Sequence, residues 1–277
     1  MSGMPFPPSR PLSVGEVLDL TVRIYRTTFV KCLLFASFGV IVNWVPNLYL
    51  LAKGGGVARS VLQQPHDPLY SLLMLICALV GIAFSAAIVL RQYAMLTAQP
   101  VGGEWGHAFR RLFDMILYFL LFGLILFPCI LVVLPAFFVQ GMTRWMLGAI
   151  LLVPLCYVTV RLSLGWTVLV ISRAGPVESL RRSWRLTAGA FLRLSVIFTV
   201  ALLLLFVLYA VTGAVTAFLS GVLGHGDLAM VSAAVAVFTV AVGALATPFG
   251  SALGLALFGD LTVRKEGADL AQRIAAA

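Results

Sequence analysis

Long stretches without a charged side chain constrain the fold of this chain more than any other feature. Each is at least as long as the roughly 20 apolar residues that a helix needs to cross about 30 Å of hydrocarbon. They cover residues 32–52, 68–90, 115–143, 194–226 and 228–259, and a sixth stretch, 145–172, is interrupted only by Arg161. Strand-type alternation of polar and apolar residues is absent. The pattern therefore predicts an all-α integral membrane protein with six transmembrane helices.

Composition supports lipid as the main solvent of the chain. Hydrophobic residues make up 61% of the sequence and charged residues 10%, whereas soluble domains carry about 25% charged residues. The first residues contain no apolar core and no small-residue cleavage site, so we expect the first span to insert and remain in the membrane.

A glutamate followed seven residues later by an arginine precedes three of the apolar regions. The pairs are Glu16 and Arg23, Glu104 and Arg111, and Glu178 and Arg185. Charged residues fall on one face of each segment and apolar residues on the other, which is typical of a helix lying in the membrane interface. Glycine or proline before each copy favours a break in the chain, although these segments are alternatively the ends of long membrane helices. The sequence thus predicts three repeats, each an interfacial amphipathic helix plus a transmembrane hairpin.

Local spacing predicts specific contacts within these copies. Ser13 and Glu16 have the spacing of a capping box. Asp19 with Arg23, and Glu178 with Arg182, have the i,i+4 spacing of helical ion pairs. The residues that we expect in structural ion pairs are Glu16, Asp19, Arg23, Glu104, Arg111, Glu178, Asp260 and Arg264.

Basic residues are distributed asymmetrically over the six predicted spans. Fifteen lysines and arginines fall on one side and three on the other, with Arg161 left out of both sums. The positive-inside rule then predicts an inner-membrane protein with both termini in the cytoplasm. We expect a single membrane domain, 1–277, divided into a tail, three repeats and a second tail at residues 1–13, 14–98, 99–172, 173–259 and 260–277.

No catalytic or metal-binding pattern is found in the sequence. The four cysteines lie in or beside apolar spans without CxxC spacing, which indicates free thiols. The three histidines are not expected to converge, and hydrolase, metalloprotease and nucleotide-binding motifs are absent. We therefore expect no enzyme activity, no metal and no cofactor. The basic residues are spread over short connections without a reader motif, so nucleic acid is not an expected partner.

Four arginines are the candidate binding residues. Arg161 is expected near the middle of the fourth span, where a charge is costly. Its planar fork suits a lipid phosphate or a substrate anion, or it makes a structural contact with backbone carbonyls, Asp114 or Asp260. Arg181, Arg182 and Arg185 either bind anionic headgroups or serve only as a topology signal. Membrane lipids with anionic headgroups are the expected partners, together with a further copy of the chain or another membrane protein.

Four segments resemble one known family. They are PLSVGEVLDLTVRIYRTTF near the start, the tetrapeptide beginning at Arg161, GPVESLRRSWRLTAGAFLRL at 175–194 and FGDLTVRKEGADL at 258–270. The chain resembles the glycerophosphoryl diester phosphodiesterase membrane-domain family, and the resemblance implies a membrane region standing without the soluble phosphodiesterase domain that follows it in some relatives. Ser172 and Arg173 occupy the place where the resemblance implies an acidic residue.

The leading functional prediction is a non-catalytic membrane module that engages anionic lipid or anchors a partner protein. The first alternative is a carrier or channel for a lipid or small anion, with Arg161 in the pathway. Pro128 and Pro135 in the third span, Pro154 in the fourth and Pro248 in the sixth are expected to interrupt helices, as in some transporters, although proline is also tolerated in membrane helices. The second alternative is a membrane-bound enzyme that processes phosphodiesters.

Overall fold

The structure is a computed structural model that describes residues 6–52, 67–100, 102–133, 141–172, 174–223 and 228–276. Within these ranges the chain forms nine helices and no strand. They are α1 (Val14–Ala52), α2 (Pro68–Leu96), α3 (Glu104–Arg110), α4 (Leu112–Val133), α5 (Met142–Leu162), α6 (Gly165–Ile171), α7 (Pro176–Leu186), α8 (Phe191–Leu223) and α9 (Leu228–Ala276).

Six helical segments are long and apolar enough to cross a membrane: Val14–Leu50, Pro68–Leu96, Leu112–Val133, Met146–Ile171, Phe191–Phe218 and Ala236–Gly267. Their outer surfaces expose large apolar side chains, including Phe113 at 75%, Leu192 at 79% and Phe218 at 70%. Water would penalise so much exposed apolar surface, whereas hydrocarbon does not. The predicted all-α class and the six spans are confirmed, and the chain has the architecture of a multi-pass membrane protein.

The first amphipathic copy is not a separate helix but the start of a long one, which is the alternative that the sequence left open. α1 runs without interruption from Val14 to Ala52, because Gly15 falls in its first turn and no chain reversal follows Glu16. The second and third copies do form separate short helices, α3 and α7. Before α3, Gly102 and Gly103 have positive φ angles of 149° and 82°. Glycine adopts positive φ at little cost, so these two residues allow the chain to turn before the helix begins.

The prolines do not end the helices in which they lie. Pro128, Pro154 and Pro248 are internal to α4, α5 and α9, which corrects the expectation that they interrupt these spans; Pro135 lies outside the described residues. The fourth span instead breaks between α5 and α6, where Ser163 donates both its backbone N–H and its hydroxyl to the Val160 carbonyl. A tight hydrogen-bonded turn, rather than a proline, divides this span.

The helices belong to two compact units. The first combines residues 1–21, 111–198 and 253–277, and its buried residues include Val168, Leu194 and Leu255. The second combines residues 22–110 and 199–252, with a core cluster of Cys32, Ala36, Ile88 and Ala244. These boundaries do not coincide with those of the three repeats expected from the sequence.

Glycines allow close helix packing inside each unit. In the second unit, a Cβ at Gly81 would lie 2.6 Å from the Asn43 side chain. In the first, a Cβ at Gly254 would lie 2.6 Å from the Thr167 hydroxyl, whereas one at Gly250 would meet nothing within 4 Å. One glycine of the Gly250-x-x-x-Gly254 motif is therefore used inside the unit, where it lets α9 approach α6.

Candidate anion site at Arg161

The C-terminal end of α5 is anchored by hydroxyl groups of α7. Because α5 ends at Leu162, its last carbonyls have no helical N–H partner. The carbonyl of Arg161 accepts hydrogen bonds from Ser183 Oγ at 2.9 Å and from Thr187 Oγ1 at 3.0 Å. Both hydroxyl-bearing residues are fully buried. These two bonds fix the backbone of Arg161 against α7 independently of its side chain.

The Arg161 guanidinium lies over aromatic rings. Its Cζ is 4.3 Å from the centroid of the Trp184 ring and 5.9 Å from that of Tyr157. The two rings meet edge to face, with centroids 6.2 Å apart. A desolvated cation over a tryptophan face gains about 2 kcal/mol, so the aromatic pair stabilises the positive charge at this depth.

The Nε donor of this guanidinium is unused within the described part of the chain. Arg161 is only 7% exposed, and its Nε is buried without a hydrogen-bond partner. The acids considered as partners bind elsewhere: Asp114 pairs with Arg111, and Asp260 with Arg193 and Arg264. An unsatisfied buried donor costs about 1–3 kcal/mol, more for a charged group. The site is thus a buried cation that lacks an acceptor.

α7 buries a face of serines and leucines rather than an aromatic one. Ser179, Leu180, Ser183 and Leu186 are buried, and the helix packs on α4, α5 and α6. Trp184, expected on the apolar face that an interfacial helix turns to the acyl chains, is 39% exposed. The small serines let the helix backbone approach the unit closely, and this leaves Trp184 at the rim above Arg161.

The three candidate arginines of α7 have different surroundings. Arg181 and Arg185 are about two-thirds exposed and lie 3.9 and 3.4 Å from Glu178. Arg182 is more buried; it pairs with Glu266 at 2.7 Å and lies over the Phe258 ring. The expected Glu178–Arg182 pair therefore does not form, and only Arg181 and Arg185 are presented on the surface.

Arg111 holds the C-terminal end of α6. Its Nη1 donates to the carbonyls of Leu169 and Ser172 at 2.8 and 2.5 Å, and its Nη2 donates to that of Ala174 at 2.6 Å. Its Nε donates to Asp114 at 3.2 Å. The expected ion-pair residue is present, but its partner is Asp114, and most of its donors satisfy the carbonyls at the end of the helix.

Asp260 is the centre of a buried ion network. It is fully buried and accepts hydrogen bonds from Arg193 Nη1 at 2.7 Å, Arg264 Nε at 3.2 Å and the backbone N–H of Leu12 at 2.8 Å. Both arginines also donate to the Leu12 carbonyl. The network ties the N-terminal segment, α8 and α9 together, which is a structural role.

The remaining predicted pairs give mixed results. The capping box is confirmed, since Ser13 N–H donates to Glu16 at 2.7 Å and Glu16 N–H to Ser13 Oγ at 3.3 Å. Glu16 pairs with Arg10 at 2.5 Å. Asp19 and Arg23, both described and both exposed, form no ion pair with each other. Of the three glutamate–arginine repeats, only Glu178 and Arg185 are in contact, so the shared spacing does not reflect a shared interaction.

Metal-binding and thiol chemistry have little support in the described residues. No group of three or more His, Cys, Asp or Glu side chains there is placed to hold a metal ion; His66 and His225 lie outside those residues. The cysteines are free, with Cys32 and Cys77 buried and Cys156 exposed.

Comparison with known proteins adds no relative. No protein-family model, no curated protein and no solved structure matches this chain. The resemblance to the glycerophosphoryl diester phosphodiesterase membrane-domain family therefore stays a prediction.

Proposed function

We propose that this chain is a non-catalytic, polytopic inner-membrane protein whose Arg161 site binds the phosphate group of an anionic lipid. The observation that supports the proposal most strongly is the buried guanidinium of Arg161, which stacks on Trp184 while its Nε lacks an acceptor. A phosphate presents several acceptor oxygens in the plane that an arginine fork needs. Its negative charge would also offset the cost of the buried cation.

The exposed arginines of α7 extend this site toward the headgroup region. Arg181 lies three residues before Trp184 and Arg185 immediately after it, so both are within one turn of the aromatic rim. Basic side chains at an anionic membrane surface contribute about 1 kcal/mol each. In this proposal they attract the headgroup, and Arg161 and Trp184 hold its phosphate.

The proposed topology places both chain termini in the cytoplasm, with three repeats of an amphipathic segment and a hairpin. The charge asymmetry of fifteen basic residues against three supports this orientation. We also propose that the chain belongs to the glycerophosphoryl diester phosphodiesterase membrane-domain family, because four of its segments resemble that family. A reporter that is active only in the cytoplasm should be active when it is fused after residue 100, 190 or 276.

Lipid retention in native mass spectrometry tests the binding proposal. The wild-type protein, purified in mild detergent with phosphatidylglycerol and phosphatidylcholine, should retain phosphatidylglycerol. Arg161→Gln removes charge-assisted hydrogen bonds of about 1.5–3 kcal/mol, so its apparent affinity should fall about 10- to 100-fold. Arg110→Gln is the matched control, because Arg110 is exposed and donates only to Gly106 within its own helix. Equal retention by both variants would contradict the proposal.

A carrier for a lipid or small anion is the second candidate, and one observation favours it. Arg161 lies beside the break between α5 and α6, and discontinuous helices commonly build transporter sites. Proteoliposomes with fluorescent phosphatidylglycerol separate the two functions. A carrier would move the labelled lipid between leaflets in an Arg161-dependent manner, whereas a binding module would retain the lipid without moving it.

A further inference from the structure

A second arginine whose Nε lacks an acceptor, the half-buried Arg91, lies in the other unit, near the end of α2. The Nε atom of Arg91 is buried and has no hydrogen-bond partner. Its Cζ lies 4.7 Å from the centroid of the Phe35 ring on α1. As at Arg161, an aromatic face supports the charge and leaves the N–H donors free.

A carboxylate oxygen in the same region is also buried without a partner. Oε1 of Glu104, the first residue of α3, is buried and accepts no hydrogen bond. α3 packs on α2, and Cys32 lies within electrostatic reach of both the Arg91 guanidinium and the Glu104 carboxylate. The two opposite charges thus lie near one thiol but form no ion pair in the described structure. A buried donor or acceptor without a hydrogen-bond partner is costly, and Arg91 Nε and Glu104 Oε1 are one of each.

An aromatic path leads from this pair of charges to the surface of the unit. The Phe35 ring lies 5.6 Å from that of Trp105, which stacks on Phe109 at 5.9 Å. Phe109 is 52% exposed. Aromatic rings of this kind are typical of the boundary between acyl chains and headgroups. The two charges therefore lie beside aromatic side chains that reach the surface of the unit, which favours a lipid headgroup as the ligand.

Arg91 is held in place by its neighbour in sequence. Gln92 is fully buried, and its Nε2 donates to Thr28 Oγ1 at 3.2 Å and to the Pro248 carbonyl at 3.0 Å. These bonds tie α2 to α1 and α9 within the unit. The backbone of α2 that carries Arg91 is consequently held in place, and the Arg91 guanidinium itself contacts the Phe35 ring.

We propose that Arg91 and Glu104 form a binding site for a phosphoethanolamine headgroup, with Arg91 contacting the phosphate and Glu104 the primary ammonium. A zwitterion satisfies both unpaired charges at once and keeps the site neutral overall. Phosphatidylcholine presents the same phosphate, but its quaternary nitrogen has no N–H to donate. The site should therefore prefer phosphatidylethanolamine, and it is independent of the anionic-lipid site at Arg161.

The test compares retention of phosphatidylethanolamine and phosphatidylcholine, presented in equal amounts, by native mass spectrometry. Wild type should retain phosphatidylethanolamine at least about 10-fold better, since one charge-assisted bond contributes about 1.5–3 kcal/mol. Glu104→Gln should remove that preference, and Arg91→Gln should lower retention of both lipids. Glu178→Gln, which changes an exposed acid, should leave the preference unchanged. Melting temperatures in detergent close to that of wild type should report that the Glu104 and Arg91 variants are folded.

Soluble phosphoethanolamine distinguishes the two possible sources of the headgroup. Displacement of the lipid by millimolar phosphoethanolamine would show that the headgroup alone is recognised, and no displacement would show that the acyl chains are needed; both results support the site. No preference in wild type, or a preference unchanged by Glu104→Gln, would overturn the proposal. A high-resolution structure with only a water between Arg91 and Glu104 would do the same. None of these results depends on whether Arg161 binds anionic lipid.

Discussion

Arg193 at the start of α8 and Asp260 on α9 form a buried ion pair, with Nη1 of the arginine 2.7 Å from Oδ2 of the aspartate. The other amino group of Arg193 donates to the Leu12 carbonyl at 2.7 Å, and Leu12 in turn donates its N–H to Asp260. This closed arrangement satisfies the carboxylate, the guanidinium and the backbone at once. It therefore organises the first unit without leaving a site for a ligand.

Loss of the Asp260 carboxylate should destabilise the protein strongly. Asp260→Asn leaves Arg193 and Arg264 without their counter-charge, and breaking a buried pair in this way costs about 3–5 kcal/mol. Glu16→Gln is the control, because its pair with Arg10 is exposed and such pairs contribute at most about 1 kcal/mol. Thermal unfolding in detergent should show a large fall in melting temperature for Asp260→Asn alone. Similar melting temperatures for the two variants would show that the network contributes little.

Arg111 should not tolerate replacement by lysine. A lysine ammonium cannot reach three carbonyls and Asp114 at once, as the guanidinium fork does. We expect Arg111→Lys to lower the free energy of unfolding by about 2 kcal/mol, because carbonyls at the end of α6 lose their partners. Arg110→Lys, at the neighbouring exposed position, should change it by less than about 0.5 kcal/mol. Chemical denaturation in detergent measures both, and equal stability of Arg111→Lys and wild type would refute the capping role.

The two glycines of the Gly250-x-x-x-Gly254 motif should respond differently to alanine. The added methyl at Gly254 would lie 2.6 Å from Thr167 Oγ1, and threonine has few alternative rotamers in a helix. Overpacking of this kind costs about 1–3 kcal/mol. At Gly250 the methyl meets nothing within 4 Å, so Gly250→Ala should be neutral or slightly stabilising. The reverse order of melting temperatures would contradict the packing described for α6 and α9.

The two hydroxyls that bind the Arg161 carbonyl should act together. Ser183→Ala or Thr187→Val alone leaves one donor, so each should have a small effect. The double variant leaves the carbonyl unsatisfied and should cost about 1–3 kcal/mol, more than the sum of the single effects. It should also weaken phosphatidylglycerol retention, because Trp184 is no longer held over Arg161. Ser179→Ala is the control, since its hydroxyl bonds within its own helix. Strictly additive effects would show that the two hydroxyls act independently.

The spans and the first helix start were predictable because they depend on local sequence. Apolar length identifies the six spans, and the spacing of Ser13 and Glu16 identifies the capping box. The partners of Arg161 and Asp260 were not predictable from spacing. Arg193 lies 67 residues from Asp260, and Trp184 reaches Arg161 only because α5 ends at Leu162 and α7 folds back on it. Contacts between helices depend on such turns, and the sequence signal for the turn at Ser163, a single serine, is weak.

The expectation that prolines interrupt the membrane spans was wrong for a physical reason. In hydrocarbon a proline-interrupted helix remains helical, because neighbouring polar groups supply bonds where the ladder is disturbed. Pro248 has no N–H to donate to the Ala244 carbonyl one turn earlier, yet α9 continues through it. Gln92 Nε2 and Ser251 Oγ both donate to the carbonyl of Pro248 itself, and the bond from Gln92 ties this part of α9 to α2.

The most direct test of phosphate binding at Arg161 is a high-resolution structure of the protein in nanodiscs that contain phosphatidylglycerol. The account predicts phosphate density over Trp184, with its oxygens about 3 Å from Arg161 Nε and the terminal nitrogens. It is contradicted if the guanidinium hydrogen-bonds to a protein acceptor and the position above Trp184 holds no phosphate.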